Sequence, residues 1–315
     1  MMVCLGEVLI DMIALEDKPL AMVRKFERHP GGAPANVAVG LSRLGVESGL
    51  VSKVGDDPFG DFLISSLERE GVKPMIERDG KFHTGVVFVQ LIGTKPEFIL
   101  YDGVAYFNLR EEDIPLNILL DSELVHFGTV MFAREPSRST VFKTLKTLRG
   151  KVPLSYDVNI RLDLWRGREE EMLEDIEGGL KLATIVKMGW EEYTYLRKKG
   201  VEVETFEPSV LAVTLGSRGA VIISGRTRVE VPAPKVNAVD TTGAGDAFMA
   251  AFLAGLHHSG AMERLEELDG ELLRRIGKFA NTVAAISVTR RGAWSVPFLR
   301  ELMESTEFKE LKGGH

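Results

Sequence analysis

Short apolar runs alternate with stretches of helical spacing along most of this chain, and that alternation leaves few folds open. Strands separated by helices pair in parallel, and a parallel sheet needs helices over both faces. Val3 to Ile13 reads as a strand and Ala35 to Leu44 as a helix, followed by a strand at Gly49 to Val54 and a helix at Pro58 to Glu70. Strands at Leu124 to Phe127, Pro153 to Tyr156, Thr184 to Lys187 and Val210 to Leu215 are interleaved with helices at Pro136 to Leu148, at Glu169 to Leu182 and from Trp190. Two long helices, from Ala244 and from Glu271, complete the pattern. The expected fold class is α/β, a three-layer α/β/α body around a mostly parallel sheet.

Two stretches break the alternation. Leu15 to Pro30 has no helical period, and Thr84 to Gln90 with Glu97 to Tyr101 reads as a hairpin around Gly93. They predict a small β-sheet lid made from segments of about residues 8–30 and 81–107, inserted into a single domain spanning 1–315. Ligands of open α/β sheets bind beyond the carboxyl ends of the strands, where such a cover excludes water.

Composition narrows the partners. The 46 acidic residues outnumber the 39 basic ones, giving a net charge of -7, so the chain lacks the basic face that coats nucleic acid. The longest apolar run, Ala247 to Leu256, is too short to span a bilayer, and Glu7 and Asp11 stand where a basic leader would be. The single cysteine, Cys4, lies in an apolar run and reads as a small buried residue, so the expected location is a reducing cytoplasm. Gln90 is the only glutamine, asparagines number six and 27% of residues are charged. That bias predicts a melting midpoint above the mesophile range.

Several chemistries drop out. None of Gly80-Lys81, Gly150-Lys151 and Gly277-Lys278 is followed by Ser or Thr, so there is no Walker A loop. Serine-esterase elbows and zinc-protease motifs do not occur, and the six histidines lack ligand spacing. The richest segment is Asp240-Thr241-Thr242-Gly243-Ala244-Gly245-Asp246, running into the apolar helix Ala247-Phe248-Met249. A dinucleotide fingerprint would place a third glycine at Phe248 and a strand just before the turn. Instead, glycines at 243 and 245 around Ala244 let backbone N–H groups converge at a helix N-terminus, where negative charge is stabilised. Asp246 beside that anion hole can accept a hydroxyl proton during attack on a phosphoryl group. The plainer alternative is close helix packing with Asp246 as a first-turn acid.

Over essentially its whole length the chain resembles the ribokinase-like (PfkB) carbohydrate kinases. The resemblance lies in Gly31-Gly32-Ala33-Pro34-Ala35-Asn36, Gly55-Asp56-Asp57-x-x-Gly60 and, most specifically, Asp240 to Asp246. Fructokinases are the closest likeness, through Cys4-Leu5-Gly6-Glu7-Val8-Leu9-Ile10-Asp11, Glu135-Pro136-Ser137 and Tyr156-Asp157-Val158-Asn159-Ile160-Arg161 with Leu164-Trp165.

The resemblance implies an ATP:sugar phosphotransferase with Asp246 as base and Gly243, Ala244, Gly245 and Asp246 as anion hole. Asp11, Gly31, Gly32, Asn36, Glu135 and Arg161 match sugar-side positions. Asn159, Lys187, Thr214, Gly216, Gly219 and Asn281 match nucleotide-side positions. Asp240, Thr242, Ser287, Arg290 and Gly292 match a K+ site built mainly from carbonyls. Glu192 matches a position near Mg2+, with Gly189 where Asn or Ser is usual.

Fructokinases also carry an arginine just after the lid hairpin, where this chain reads Asp102-Gly103-Val104-Ala105-Tyr106-Phe107-Asn108. The expected substrate is D-fructose, phosphorylated at the 6-hydroxyl. The nearest alternative is 2-keto-3-deoxygluconate, whose carboxylate Arg161 would grip. An alternative of another class is a catalytically silent sugar- or nucleotide-binding regulator. Lid edges that seek a partner strand would give a homodimer.

Overall fold

The computed structural model describes residues 1–92, 95–266 and 268–313. Its larger sheet has nine strands. In chain order these are β1 (Met2–Leu5), β4 (Ser48–Gly55), β5 (Lys73–Asp79), β8 (Leu124–Gly128), β9 (Leu154–Asp157), β10 (Ile185–Gly189), β11 (Val210–Thr214), β12 (Ala220–Ser224) and β13 (Thr227–Val231). The spatial order is β13-β12-β11-β10-β9-β8-β1-β4-β5. Neighbours from β5 through β11 are parallel, and β12 and β13 are antiparallel additions at one edge.

The smaller sheet has the order β3-β2-β6-β7, from β2 (Leu9–Ala14), β3 (Phe26–Gly31), β6 (Val86–Ile92) and β7 (Lys95–Leu100). β2 pairs with β6 in parallel and with β3 antiparallel. The turn expected around Gly93 lies outside the described residues.

Helices cover both faces of the large sheet. α1 (Ala33–Arg43), α2 (Pro58–Arg69), α7 (Ala244–His258) and α8 (Gly270–Ser287) share one apolar cluster with Met2 and Cys4. On the other face, α4 (Ser137–Leu148), α5 (Glu169–Leu180) and α6 (Trp190–Lys198) cluster with Val3 and Leu5, and the short α3 (Leu116–Leu120) adds Leu119. Successive β1 residues thus feed opposite layers, as a strand of period two buried on both faces requires.

The apolar α7 runs between α1 and α8 because small residues let it. A Cβ on Gly40 would lie 2.5 Å from Ala250 Cβ, and one on Gly255 3.0 Å from Ile276 Cγ2. This close packing fixes where the N-terminus of α7 points.

One expectation is corrected, and three strands, β5, β12 and β13, appear where none was expected. Val3 to Ile13 is not one strand: the chain leaves the large sheet after Leu5 and enters the small one at Leu9. The break sits at Gly6, where a Cβ would lie 2.4 Å from the Pro34 ring, so helix α1 passes too close for a straight strand with side chains. Strand β5 is an edge strand of mixed polarity, Lys-Pro-Met-Ile-Glu-Arg-Asp, which hides its period. Strands β12 and β13 form a hairpin across Gly225 (φ 54°), whose signal in the sequence is the Ser224-Gly225 pair and not apolar periodicity.

Candidate active site

The carboxyl ends of the parallel strands and the N-terminus of α7 converge on one region. Asp246 stands in the first turn of α7, 8% exposed, behind Gly243 in the left-handed region at φ 73°. A side chain at 243 would meet the Ala293 backbone at 3.0 Å, so both conformation and space call for glycine. Among the described residues the N–H groups of Gly243, Gly245 and Asp246 have no hydrogen-bond partner, whereas that of Ala244 donates to the Thr241 carbonyl at 3.2 Å. Three unpaired donors at a helix N-terminus make an anion cradle.

Asp246 is held from one side only. Asn36 Nδ2 donates to Oδ2 at 2.7 Å, and Trp294 Nε1 donates to Asn36 Oδ1 at 2.9 Å, which fixes the amide orientation. Oδ1 has no hydrogen-bond partner among the described residues. Burial pushes the Asp246 carboxyl up to about 6, with the charge of Asp157 adding to the rise and Lys187, Asn36 and Arg161 opposing it. An aspartate poised near neutrality with one open oxygen suits proton abstraction.

Lys187 comes from β10 and is 5% exposed. Its ammonium pairs with Asp157 at 2.9 and 3.1 Å, and a Cβ on Gly245 would lie 2.8 Å from Nζ. Burial opposes that charge, but Asp157, Glu192 and Asp246 together hold it above the ordinary lysine value. A cation therefore abuts the cradle, and glycine at 245 makes the approach possible.

A cavity of about 320 Å³ opens beside Asp246, between the small sheet and the body. Glu7, Asp11, Asn36, Tyr106, Arg161 and Asp163 supply polar groups, and Leu9, Val87, Val89 and Val130 form an apolar wall. Burial raises the Asp11 carboxyl to about 7, with His29 and Arg161 pulling it down and Asp246 pushing it up. Glu7 is likewise raised to about 7 by burial, although the Ala33 N–H donates to Oε1 at 3.2 Å. A Cβ on Gly31 would lie 2.1 Å from Asp11 Oδ2, and one on Gly32 (φ 101°) 2.4 Å from the Glu7 carbonyl. The glycine pair thus brings α1 against the acid-bearing strand.

Of the residues singled out from the sequence, Asp11, Gly32, Asn36, Arg161, Thr242, Gly243 and Asp246 line this cavity. Gly31 borders it through Asp11, while Gly245 and Lys187 face each other at the N-terminus of α7, outside its lining. Glu135 does not line it; its carboxylate accepts from Ser139 Oγ at 2.9 Å and is 55% exposed.

Asn159 takes φ 35°, rare for a non-glycine residue, just beyond Asp157. Thr214, Gly216 and Gly219 lie around the β11–β12 turn, and Asn281 of α8 donates to the Val231 carbonyl at 2.9 Å. A Cβ on Gly219 would lie 2.0 Å from that same Val231 oxygen, so these residues gather at one sheet edge, apart from the acid cavity.

Asp240 accepts from the Thr242 N–H and the Gly292 N–H, each at 2.9 Å, and these bonds hold it below the ordinary aspartate value against the effect of burial. They tie its loop to the one after α8, which carries Arg290, while Ser287 ends the helix itself. Ser287 Oγ donates to the Ala284 carbonyl and Arg290 pairs with Glu301 at 2.6 Å. Glu192 accepts from the N–H groups of Ile160 (2.6 Å) and Gly189 (2.7 Å), capping α6.

Glu7, Asp157, Trp294 and Tyr106 belong to the site although the sequence reading does not single them out. Glu7 and Asp157 stand inside stretches quoted for the resemblance, and Tyr106 inside the stretch where this chain departs from it. Trp294 lies 258 positions from its partner Asn36, and no local pattern announces it.

The pfkB family carbohydrate kinase profile matches residues 1–298. The chain belongs to the pfkB family of carbohydrate kinases. The kinase is 52% identical to a protein described as a putative sugar kinase of Pyrococcus horikoshii, over 99% of this chain and 97% of that protein. A crystal structure of that sugar kinase in complex with ATP superposes with a TM-score of 0.92, covering 99% of this chain and 100% of the other. A fructokinase of Klebsiella pneumoniae is 36% identical over 88% of this chain and 91% of its own length. The fructokinase of Vibrio cholerae, solved with fructose, ADP and calcium ion, superposes at a TM-score of 0.82 with 28% identity, covering 96% and 97% of the two chains. The kinase is therefore a sugar phosphotransferase on the ribokinase-like α/β fold.

Proposed function

We propose that this kinase transfers the γ-phosphate of ATP to the 6-hydroxyl of D-fructose. Asp246 carries the reading, as a buried carboxyl with one open oxygen beside unpaired N–H groups and a buried ammonium. In its ionised form Oδ1 takes the proton of the attacking hydroxyl. The N–H groups of Gly243, Gly245 and Asp246, spaced by Ala244, receive the charge that gathers on the transferred phosphoryl group, and Lys187 adds a point charge beside them.

The sugar occupies the 320 Å³ cavity. Asp11 and Arg161 face its hydroxyls, Gly31 and Gly32 admit the ring, and Asn36 joins this subsite to the base. ATP runs from the cradle along Asn159 toward Thr214, Gly216, Gly219 and Asn281.

The cavity holds Glu7, Asp11, Asp163 and Asp246 against the single cation Arg161. That balance favours a neutral polyol, and relatives described as fructokinases favour the same choice. 2-Keto-3-deoxygluconate is the competing substrate, because Arg161 can meet a carboxylate.

Among the described residues no group of three or more His, Cys, Asp or Glu could hold a metal. The donor set therefore fits Mg2+ held largely by phosphate oxygens and water, with Glu192 and Asp157 the carboxylates on the Lys187 side. Mg2+ neutralises phosphate charge when it accompanies ATP. The loops tied through Asp240 and Gly292 fit K+, with carbonyls from Asp240, Thr242, Ser287, Arg290 and Gly292.

The kinase works as one domain in the cytoplasm. Its small sheet, from segments of about 8–30 and 81–107, closes as a lid and offers edge strands β3 and β7 to a second copy.

A coupled ADP-release assay with ATP, Mg2+ and K+ across fructose, ribose, 2-keto-3-deoxygluconate and adenosine tests this. Fructose is expected to give the highest kcat/KM. Preference for the sugar acid would replace the substrate, and no turnover on any would favour the silent regulator.

A further inference from the structure

Most polar groups lining the acid cavity already have partners. Both ends of the Asn36 amide are taken, Asp246 Oδ2 is taken, Glu7 Oε1 accepts from Ala33, and Asp163 pairs with Arg166 at 2.6 Å. Asp11 and the hydroxyl of Tyr106 have no hydrogen-bond partner among the described residues.

Tyr106 is the less obvious of the two. It follows the hairpin of the small sheet in the 3-10 turn Ala105–Asn108, and it is 2% exposed. Among the described residues, the polar side-chain atoms fully enclosed without a partner are Glu7 Oε2, Ser52 Oγ, Trp165 Nε1, Ser224 Oγ and Arg275 Nε. The Tyr106 oxygen is outside that set, so it is unbonded yet reachable, and the cavity is what its residue lines.

The ring is held firmly. A Cβ on Gly85 would lie 2.5 Å from Tyr106 Cε1, and the Phe107 ring centroid is 4.5 Å away. Glycine at 85 therefore makes room for this ring. A buried tyrosine ordinarily satisfies its hydroxyl, because an enclosed polar group without a partner costs free energy. Here the partner is left to whatever fills the cavity. Burial, reinforced by the charges of Glu7 and Asp102 and opposed by Arg134, holds the hydroxyl well above the ordinary tyrosine range, so it remains a neutral donor.

The geometry points to Tyr106 as a substrate-binding, specificity-determining residue, its hydroxyl donating to one oxygen of the bound sugar beside the apolar wall of Leu9, Val87 and Val130. This rests on the reading of the cavity as the sugar subsite. It also gives the departure after the hairpin a physical meaning. Where fructokinases carry an arginine, this chain presents a neutral donor from the same stretch, one that takes a hydroxyl or carbonyl oxygen without requiring a negative charge.

The test is Tyr106→Phe, which keeps the ring and removes only the hydroxyl. KM for the wild-type enzyme's best sugar should rise about 3- to 10-fold, the worth of one neutral hydrogen bond, with kcat within about twofold. The melting midpoint should hold, because no protein partner is lost. A structural role would instead move the midpoint and leave KM alone.

Singly deoxygenated forms of that sugar then complete a double-mutant cycle. The Tyr106→Phe penalty should vanish for the one analogue lacking the contacted oxygen and persist for the rest. Unchanged KM in the variant, or a penalty equal for every analogue, overturns the role of Tyr106. Absence of sugar turnover by the wild-type enzyme overturns the function reading itself. If the variant is misfolded by its melting curve, the wild-type analogue series decides: uniform KM values across all analogues would mean that no neutral donor reads the sugar.

Discussion

Replacing Asp246 by Asn separates what its carboxylate does for chemistry from what it costs the fold. The amide oxygen that the substitution introduces can still accept from Asn36 Nδ2, so the 2.7 Å bond to helix α1 has a replacement. The ionisable oxygen is gone, and kcat should fall on the order of 10²- to 10⁴-fold, the range for a lost general base, with modest change in ATP affinity. Stability should move the other way.

In the folded chain burial lifts this carboxyl from the ordinary 3.8 to about 6. Between those values the folded state keeps a proton that the unfolded state releases, so stability falls as pH rises through the window. The full cost stands above it. At about 1.4 kcal/mol per pH unit the cost is about 3 kcal/mol at neutral pH. With an unfolding entropy near 0.7 kcal/mol per degree for a chain this long, Asp246→Asn should melt about 4–5 °C higher at pH 7.5. That gain should shrink below about pH 5, where the wild-type carboxyl is protonated in the folded state. Scanning calorimetry at both pH values, with the ADP-release assay alongside, measures both arms. Near-normal kcat would make Asp246 structural, and a lower melting midpoint at pH 7.5 would refute the strained carboxylate.

The same carboxyl sets the acid limb of the wild-type rate profile. kcat should fall tenfold per pH unit below about 6, with fructose saturating, because only ionised Asp246 accepts the proton. Lys187→Met leaves Asp157 buried and unpaired, so chemical denaturation should show a loss of about 3–5 kcal/mol. The rate limb should shift to higher pH as well, since Lys187 now holds the Asp246 carboxyl down. An unshifted limb would separate the two residues electrostatically. Gly31→Ala puts a Cβ where Asp11 Oδ2 stands, 2.1 Å away, and should raise sugar KM by about 10-fold or more while ATP KM is unchanged. Equal increases in both would point to general damage.

Legibility followed the range of the physics. The turn at Gly243-Ala244-Gly245-Asp246 could be read directly because its conformation is local: a left-handed residue, a helix start and unpaired N–H groups are all properties of adjacent positions. Parallel strands could be read from apolar runs because both faces of the sheet are covered. The split of β1 from β2 could not, since Val3–Leu5 and Val8–Ile10 are both apolar and the break is imposed by Pro34 pressing on Gly6 across the fold. Glu192 carries two local signals: its spacing fits a family motif near the metal, and a glutamate at the third helical position is also a capping residue, as the bonds from the Ile160 and Gly189 N–H groups show.

The residue that sequence reading had least chance of finding also explains how the acid cavity is tied to Asp246. Trp294 is positioned by the loop after α8, the same loop whose Gly292 N–H holds Asp240. Its indole N–H occupies the Asn36 carbonyl oxygen, so the amide has one orientation in which Nδ2 faces Asp246 and Oδ2 is engaged. The open oxygen of Asp246 is thereby left on the other side. Asn36 in turn rides on α1, whose first turn is drawn against the acid-bearing strand through Gly31, Gly32 and the Glu7 carboxyl. A displacement of the Asp240–Gly292 loop would therefore reach Asp246 through two hydrogen bonds, and a cation seated in that loop would act on the base by orientation as well as by charge. On the function proposed above, an acidic chain binds an anionic nucleotide through three N–H groups and the Lys187 ammonium, whose geometry is held from both ends of the sequence.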